Sequence, residues 1–194
     1  MDKNEQEFLQ KKAKWLSHLL NSHKYTDLIA EAKNLREKYP EVYFFSNAIG
    51  LGYHGLGQNK EAQDIFENAL EIHKDNVHIL NNLGMVLSAQ DKDQEAEKYL
   101  IKAIEISPKH LSARVTFSNI KKKFNKYEEA IENLKLIYND YPNEYIVNFN
   151  LANAYQESGD FENARKFHKI CIEKFPYITS SDKALTEMKK FTDK

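Results

Sequence analysis

Residues 77–110 read VHILNNLGMVLSAQDKDQEAEKYLIKAIEISPKH, and the equally long stretch before them, 43–76, reads YFFSNAIGLGYHGLGQNKEAQDIFENALEIHKDN. The second half of each segment holds an apolar stripe of helical spacing, which in 77–110 is Ala96, Tyr99, Leu100, Ala103 and Ile104. Apolar residues at i, i+3, i+4 and i+7 share one face of an α-helix. The first halves carry their own packing positions, so each segment is predicted to form a helical hairpin.

This 34-residue period recurs along the chain. All four prolines share one register, because Pro40, Pro108, Pro142 and Pro176 follow one another at intervals of 68, 34 and 34. Rows of 34 also align packing positions into columns, of which one is Leu28, Ala62, Ala96, Ala130 and Ala164 and another is Trp15, Ile49, Leu83, Phe117 and Leu151. We therefore expect five hairpins, at residues 9–42, 43–76, 77–110, 111–144 and 145–178.

The composition agrees with an all-α protein and excludes several function classes. Six glycines and four prolines are too few for a chain of many tight β-turns. The 28 Lys and Arg residues against 29 Asp and Glu residues exclude a generally basic nucleic-acid binder. One cysteine, Cys171, excludes a disulfide framework. No apolar run has the length of a membrane span and the N-terminus is too polar for a signal peptide, so we predict a cytoplasmic protein without membrane contact.

Three rows carry a known repeat pattern at matching positions. They hold Ile49, Gly50, Tyr53, Gly57, Ala62, Phe66 and Ala69 in the row 43–76; Leu83, Gly84, Leu87, Ala96, Leu100, Ala103 and Pro108 in the row 77–110; and Leu151, Tyr155, Gly159, Ala164 and Pro176 in the row 145–178. These rows resemble tetratricopeptide repeats. The resemblance implies a superhelical solenoid of antiparallel helix hairpins whose first helices line a concave groove.

The remaining segments fit the array less closely. Row 9–42 is degenerate, with Leu28 where Ala is usual, and row 111–144 has Lys121 in the Tyr position. Residues 179–194 place Ala184, Leu185, Met188 and Phe191 along one face, so we predict a capping helix after a repeat array over residues 1–178.

The resemblance also implies which residues face the groove. The sixth and ninth residues of the five rows do so, and four of these ten are asparagines: Asn82, Asn119, Asn150 and Asn153. An Asn amide offers one acceptor and two donor hydrogens, which match the backbone of an extended peptide. We expect these amides to hold a partner backbone while Phe44, Met85 and Phe149 contact its side chains. The alternative is that an Asn-rich chain scatters its asparagines without function.

Lys121, Lys122, Lys123 and Lys126 form the one notable basic run. It is interpreted as a solvated helix end, with the alternative that Lys122 and Lys123 face the groove and attract an acidic partner segment. The family's clamp for chaperone carboxylates is not predicted, because its positions here hold Asn47, Leu51, Asn82, Ser112 and Thr116, of which only Asn82 agrees.

No catalytic residue, cofactor or metal ligand set is predicted. Residues 50–55, GLGYHG, fit the G-x-G-x-x-G pattern of dinucleotide sites, but they lie in a predicted helix and follow no strand. The pairs His18/His23 and His73/His78 are five residues apart, whereas helical metal pairs are four apart. Cys171 occupies a packing column, so an inert buried thiol is expected.

Two functions fit the sequence. The first is a non-catalytic interaction scaffold that binds an extended or helical partner segment through Asn47, Asn82, Met85, Asn119, Lys122, Lys123, Phe149, Asn150 and Asn153. The alternative is a recruiting domain of a larger transferase, since FPYITSSD at residues 175–182 resembles the end of the repeat array in bacterial sulfotransferase- or glycosyltransferase-type proteins. Self-association through the solenoid ends is a further expectation.

Overall fold

The computed structural model describes residues 2–179, and this range contains eleven α-helices and no strand. The helices are α1 (Lys3–Asn21), α2 (Tyr25–Lys38), α3 (Tyr43–Gly55), α4 (Asn59–Ile72), α5 (Val77–Ser88), α6 (Asp93–Ile106), α7 (Leu111–Lys123), α8 (Tyr127–Asp140), α9 (Tyr145–Ser158), α10 (Phe161–Lys174) and α11 (Pro176–Thr179).

The chain divides into two compact units, residues 1–106 and residues 107–194. The first unit contains α1 to α6 and the second contains α7 to α11. Helices α3, α5, α7 and α9 begin one sequence period apart, at Tyr43, Val77, Leu111 and Tyr145. Each is joined to the next helix by two to four residues, which favours antiparallel neighbours. The predicted all-α fold of helix hairpins is confirmed.

A small residue, alanine, allows the two helices to approach closely in every hairpin but the first, where Leu28 takes its place. The aligned column Leu28, Ala62, Ala96, Ala130 and Ala164 is completely buried in all five hairpins. Each of these residues lies on the second helix of its hairpin, on the apolar stripe predicted from the spacing. The period of the sequence therefore corresponds to the period of the packing.

Trp15 departs from the column that contains it. Ile49, Leu83 and Leu151 of that column are completely buried, whereas Trp15 is 47% exposed and stacks on His18, with 5.5 Å between the ring centroids. The difference follows from position, because α2 packs on α3 and α4 packs on α5, while no helix in the described range precedes α1. Helix α1 also begins six residues before the predicted row, since the Asp2 carboxylate accepts a hydrogen bond from the Glu5 amide.

Gly52 and Gly55 are explained by packing between neighbouring hairpins. A Cβ atom added to Gly52 would lie 2.6 Å from the Ile29 side chain, and one added to Gly55 would overlap the Tyr25 ring. Both partners belong to α2, so the two glycines let α3 approach the preceding hairpin. This contact accounts for the extra glycines of the G-x-G-x-x-G pattern without a nucleotide.

The turn inside each hairpin places one residue in the left-handed region. These residues are His23, Gly57, Asp91, Asn125 and Gly159, with φ between 56° and 86°, and each follows the last by one sequence period. Glycine adopts this conformation without the steric cost that a Cβ atom imposes, and Asn and Asp tolerate it better than most residues. The 34-residue period thus recurs in the backbone conformation of the turns as well as in the apolar packing.

Gly57→Ala isolates the cost of this backbone conformation, because no atom lies within 4 Å of a Cβ added to Gly57. We expect the free energy of unfolding to fall by about 1–2 kcal/mol. Gly57→Asn is the matched control and should cost less than Gly57→Ala, since Asn tolerates positive φ. Urea unfolding monitored by circular dichroism measures the free energy of unfolding of both variants. An Ala variant as stable as the wild type would contradict the left-handed conformation of Gly57.

The predicted capping helix, residues 179–194, falls outside the described residues except for Thr179 at the end of α11. Within the described part of the chain, every helix is either too short or too polar to cross a bilayer.

Candidate functional site

Helices α3 and α5 bring two of the predicted asparagines together. The Asn82 Nδ2 group donates a hydrogen bond to Asn47 Oδ1 at 2.7 Å, although the two residues are 35 positions apart in sequence. Asn81 Nδ2 donates in turn to Asn82 Oδ1 at 3.0 Å. Asn81 is buried, whereas Asn47 and Asn82 are half-buried. The result is a directed chain of three amides that reaches the surface.

Side chains one helical turn away flank this pair. Phe44 and Leu51 lie three residues before and four residues after Asn47 on α3, and His78 and Met85 flank Asn82 on α5 at four residues before and three after. Phe44, Leu51 and Met85 are half-buried, while His78 is exposed and its ring stacks on Tyr43 with an interplanar angle of 4°. We call the surface formed by Phe44, Asn47, Leu51, His78, Asn82 and Met85 the α3–α5 face.

The second unit presents a related surface on α7 and α9. An ion pair of 3.4 Å joins Lys122 Nζ to Glu157 Oε1 across the two helices. Asn119 is exposed one turn before Lys122, and Asn153 is half-buried one turn before Glu157. Phe149 stacks on Tyr145, with 5.5 Å between the ring centroids. We call the surface formed by Asn119, Lys122, Phe149, Asn153 and Glu157 the α7–α9 face.

Asn150 does not offer a free amide on this surface. It is 5% exposed, and its Nδ2 group donates to the Ile146 carbonyl of its own helix at 2.7 Å. The sequence register alone placed Asn150 with the groove residues, but burial turns its amide toward the helix backbone. We therefore omit Asn150 from the candidate contact surface.

The prediction of a solvated basic helix end is wrong for Lys121. This side chain is buried, its Nζ lies 3.0 Å from Glu129 Oε2, and it lies 4.8 Å from the centre of the Phe117 ring. The hydrogen bond from Lys121 lowers the pKa of Glu129. Lys121 thus takes the position that the repeat pattern gives to an aromatic residue. This substitution is one reason why row 111–144 matches the pattern less closely.

The charges of the neighbouring lysines are also compensated or solvated. Lys122 is bound by Glu157, as described above, while Lys123 and Lys126 are exposed and Lys126 Nζ lies 3.6 Å from Glu129 Oε1. The surface therefore presents less net positive charge to an acidic partner than the sequence predicts.

Sequence reasoning missed Asn81, which orients Asn82. A signal was available, because Asn81 lies one full period after Asn47 and thus occupies the same position in the next hairpin. Its burial and its hydrogen bond to the adjacent residue are visible only in three dimensions.

The glycine pattern, the histidines and Cys171 are the other residues considered for chemistry. Residues 50–55 lie within α3, and no group of three His, Cys, Asp or Glu side chains between residues 2 and 179 is arranged to hold a metal ion. Cys171 is completely buried, and this burial raises the pKa of its thiol to about 12. A protonated, enclosed thiol is a packing group rather than a nucleophile.

Cys171 should therefore be unreactive in the folded protein. We expect no detectable reaction with Ellman's reagent at pH 8 in buffer, and complete reaction of one thiol after unfolding in guanidinium chloride. A Cys171→Ala variant is the blank for both measurements. Rapid labelling of the folded protein would contradict the burial of this residue.

Comparison with known proteins agrees with the helix pairs. Two tetratricopeptide-repeat family models match the chain, at residues 45–109 and 149–174. The BBSome complex member BBS4 of Bos taurus is 28% identical over 153 residues, which are 78% of this chain and 29% of the bovine protein. This chain thus spans less than a third of the length of that relative.

Solved structures share the fold at low sequence identity. TTC0263, a thermophilic TPR protein of Thermus thermophilus, matches with a TM-score of 0.78 at 13% identity, covering 95% of this chain and 97% of that chain. YrrB, a TPR protein with an unusual peptide-binding site, matches with a TM-score of 0.60 at 21% identity, covering 85% of each chain. The helix pairs, their 34-residue spacing and the two family matches show that this chain contains tetratricopeptide repeats.

Proposed function

We propose that this chain is a non-catalytic scaffold that binds an extended segment of another protein on the first helices of its hairpins. The observation that carries the proposal is the pair Asn47 and Asn82, two half-buried amides joined across α3 and α5. Asn is a poor helix former, so its presence in the middle of two neighbouring helices costs stability. A contact with a partner backbone explains why that cost is tolerated.

The surroundings of the amide pair support binding of a polypeptide. Phe44, Leu51 and Met85 are half-buried and supply apolar contact area beside the amides. Peptide recognition combines hydrogen bonds to the main chain with apolar contacts to side chains, and this face provides both. The structural neighbour YrrB has a peptide-binding site, which is consistent with this use of the fold.

The α7–α9 face is the second part of the proposal. Asn119 and Asn153 supply amides there, Phe149 supplies an aromatic surface, and Lys122 with the exposed Lys123 adds polar contacts. A role of these residues in partner binding, a cytoplasmic location and self-association through the array ends remain predictions. The transferase-associated alternative receives no support from the matches described above.

A selection from a random decapeptide library displayed on phage tests the proposal. Each peptide recovered with the purified 194-residue chain is then titrated by isothermal calorimetry into the wild type and into the double variant Asn82→Ala/Met85→Ala. The matched control is Asn68→Ala/Ile72→Ala, a similar pair of changes at exposed positions of α4. We expect the first variant to weaken binding at least about tenfold and the control less than about twofold. Recovery of no binding peptide, or equal effects of the two variants, would contradict the proposal.

A further inference from the structure

We infer that the α3–α5 face selects an uncharged segment and binds its backbone carbonyl oxygens through N–H donors. The inference rests on the proposed function and specifies the chemistry of the partner. Three observations carry it: the absence of charge on two helices, the direction of the amide chain, and the apolar residues beside it.

Helices α3 and α5 contain no Asp, Glu, Lys or Arg in their 13 and 12 residues, YFFSNAIGLGYHG and VHILNNLGMVLS. These four residue types make up 29% of the chain. The second helices of the same hairpins, α4 and α6, are rich in charged residues. Whatever α3 and α5 present to a partner is therefore uncharged apart from histidine.

The two histidines of these helices are engaged in local contacts. His54 Nδ1 lies 2.6 Å from Asn59 Oδ1, and His78 stacks on Tyr43. With no Lys or Arg on either helix, the face lacks the fixed cation that a buried partner carboxylate needs for a charge-assisted hydrogen bond.

The amide chain ends in donors. Asn81 donates to Asn82 Oδ1 and Asn82 donates to Asn47 Oδ1, so both amide oxygens of the surface pair already accept a hydrogen bond. The Asn47 Nδ2 group makes no hydrogen bond to a described residue. It has two hydrogens to donate, and a partner must supply the acceptor.

A backbone carbonyl is the acceptor that fits. A carboxylate would lose its hydration on this half-buried surface without an opposite charge to offset the loss, whereas a neutral carbonyl has a much smaller desolvation cost. An extended chain presents carbonyl oxygens along its length and side chains on alternate sides. Phe44, Leu51 and Met85 then contact its uncharged side chains.

The test uses arrays of acetylated and amidated decapeptides, because such peptides carry no terminal charge. We expect the bound sequences to be depleted of Asp, Glu, Lys and Arg. The affinity of the best peptide, measured at pH 8, should change less than about twofold between 50 and 500 mM NaCl, since salt screens only charged contacts.

Asn47→Asp tests the role of the N–H donors, because it keeps the shape of the side chain and replaces these donors with an anionic acceptor. We expect it to weaken binding of the same peptide at least about tenfold, through lost donors and repulsion of carbonyl oxygens. Asn34→Asp makes the same change at an exposed position of α2 and should leave the affinity unchanged. Equal helicity of both variants by circular dichroism shows that folding is preserved.

The outcomes separate this inference from the proposed function. Bound peptides rich in acidic or basic residues, a strong loss of affinity with salt, or full binding by Asn47→Asp would overturn the inference while leaving a peptide-binding scaffold intact. Failure of every peptide in both the array and the phage selection would overturn the proposed function as well.

Discussion

Phe66→Ala is expected to lower the free energy of unfolding of the first unit by about 3–5 kcal/mol, the usual cost of emptying a fully packed aromatic site. Phe66 on α4 is completely buried, and its ring lies directly on the backbone of Gly50 in α3. A Cβ atom at Gly50 would overlap this ring, so the glycine and the phenylalanine form one packing unit of the hairpin. Denaturant unfolding monitored by circular dichroism measures the loss.

A double-mutant cycle with Gly50→Ala tests whether the effects of Gly50 and Phe66 on stability depend on each other. We expect Gly50→Ala to destabilise the wild type, because the ring must move, and to cost much less in the Phe66→Ala background, where the added methyl group enters the vacated space. The equivalent close approach of Gly84 to Leu100, with an added Cβ at 2.7 Å, should behave in the same way. Additive effects of the two substitutions would show that Gly50 and Phe66 are not packed against each other.

Asn133→Ala is expected to cost about 2–3 kcal/mol, because it leaves buried polar groups in the fourth hairpin without their partner. Asn133 Nδ2 donates to Ser118 Oγ at 2.6 Å and to the Arg114 carbonyl at 2.8 Å, and its Oδ1 accepts from the Arg114 guanidinium. Ser118 is completely buried and Asn133 is 7% exposed. Removing the amide therefore disrupts a network that links α7 to α8.

The corresponding residues of the preceding hairpin indicate a double substitution that should restore the stability lost in Asn133→Ala. The positions of Arg114 and Asn133 correspond, one period earlier, to Leu80 and Tyr99, an apolar pair. We expect the free energy of unfolding of Arg114→Leu/Asn133→Tyr to lie within about 1 kcal/mol of the wild type, because both sides of the amide–guanidinium contact are replaced together and Ser118 Oγ keeps its hydrogen bond to the Ala130 carbonyl. A double variant less stable than Asn133→Ala would contradict this equivalence.

The helix hairpins could be predicted from the sequence because their period is carried by small and apolar residues. The Ala column from Ala62 to Ala164 needs no three-dimensional information, since only small residues permit such close packing. The left-handed turns were only partly visible. Gly57 and Gly159 signal them, whereas His23, Asp91 and Asn125 adopt the same conformation without a glycine.

Less of the candidate site could be predicted from the sequence. The register placed Asn82 on the first-helix surface, but its hydrogen bond to Asn47 depends on how α5 packs against α3. The same register grouped Asn150 with Asn82, although Asn150 is buried. Lys121 was misjudged because its partner, Glu129, lies on the next helix, and a pattern of one helix does not reveal a contact with another.

Side-chain amide NMR observes the proposed contact of Asn47 and Asn82 with a partner residue by residue. Two-dimensional ¹H–¹⁵N spectra of the labelled chain report each Asn NH₂ group separately, so a selected capped decapeptide can be titrated while individual amides are followed. We predict that the Asn47 and Asn82 signals shift on binding, while those of Asn34 on α2 and Asn68 on α4 stay in place. Shifts confined to Asn34 and Asn68, with Asn47 and Asn82 unmoved, would place the partner on the second helices and overturn the proposed site.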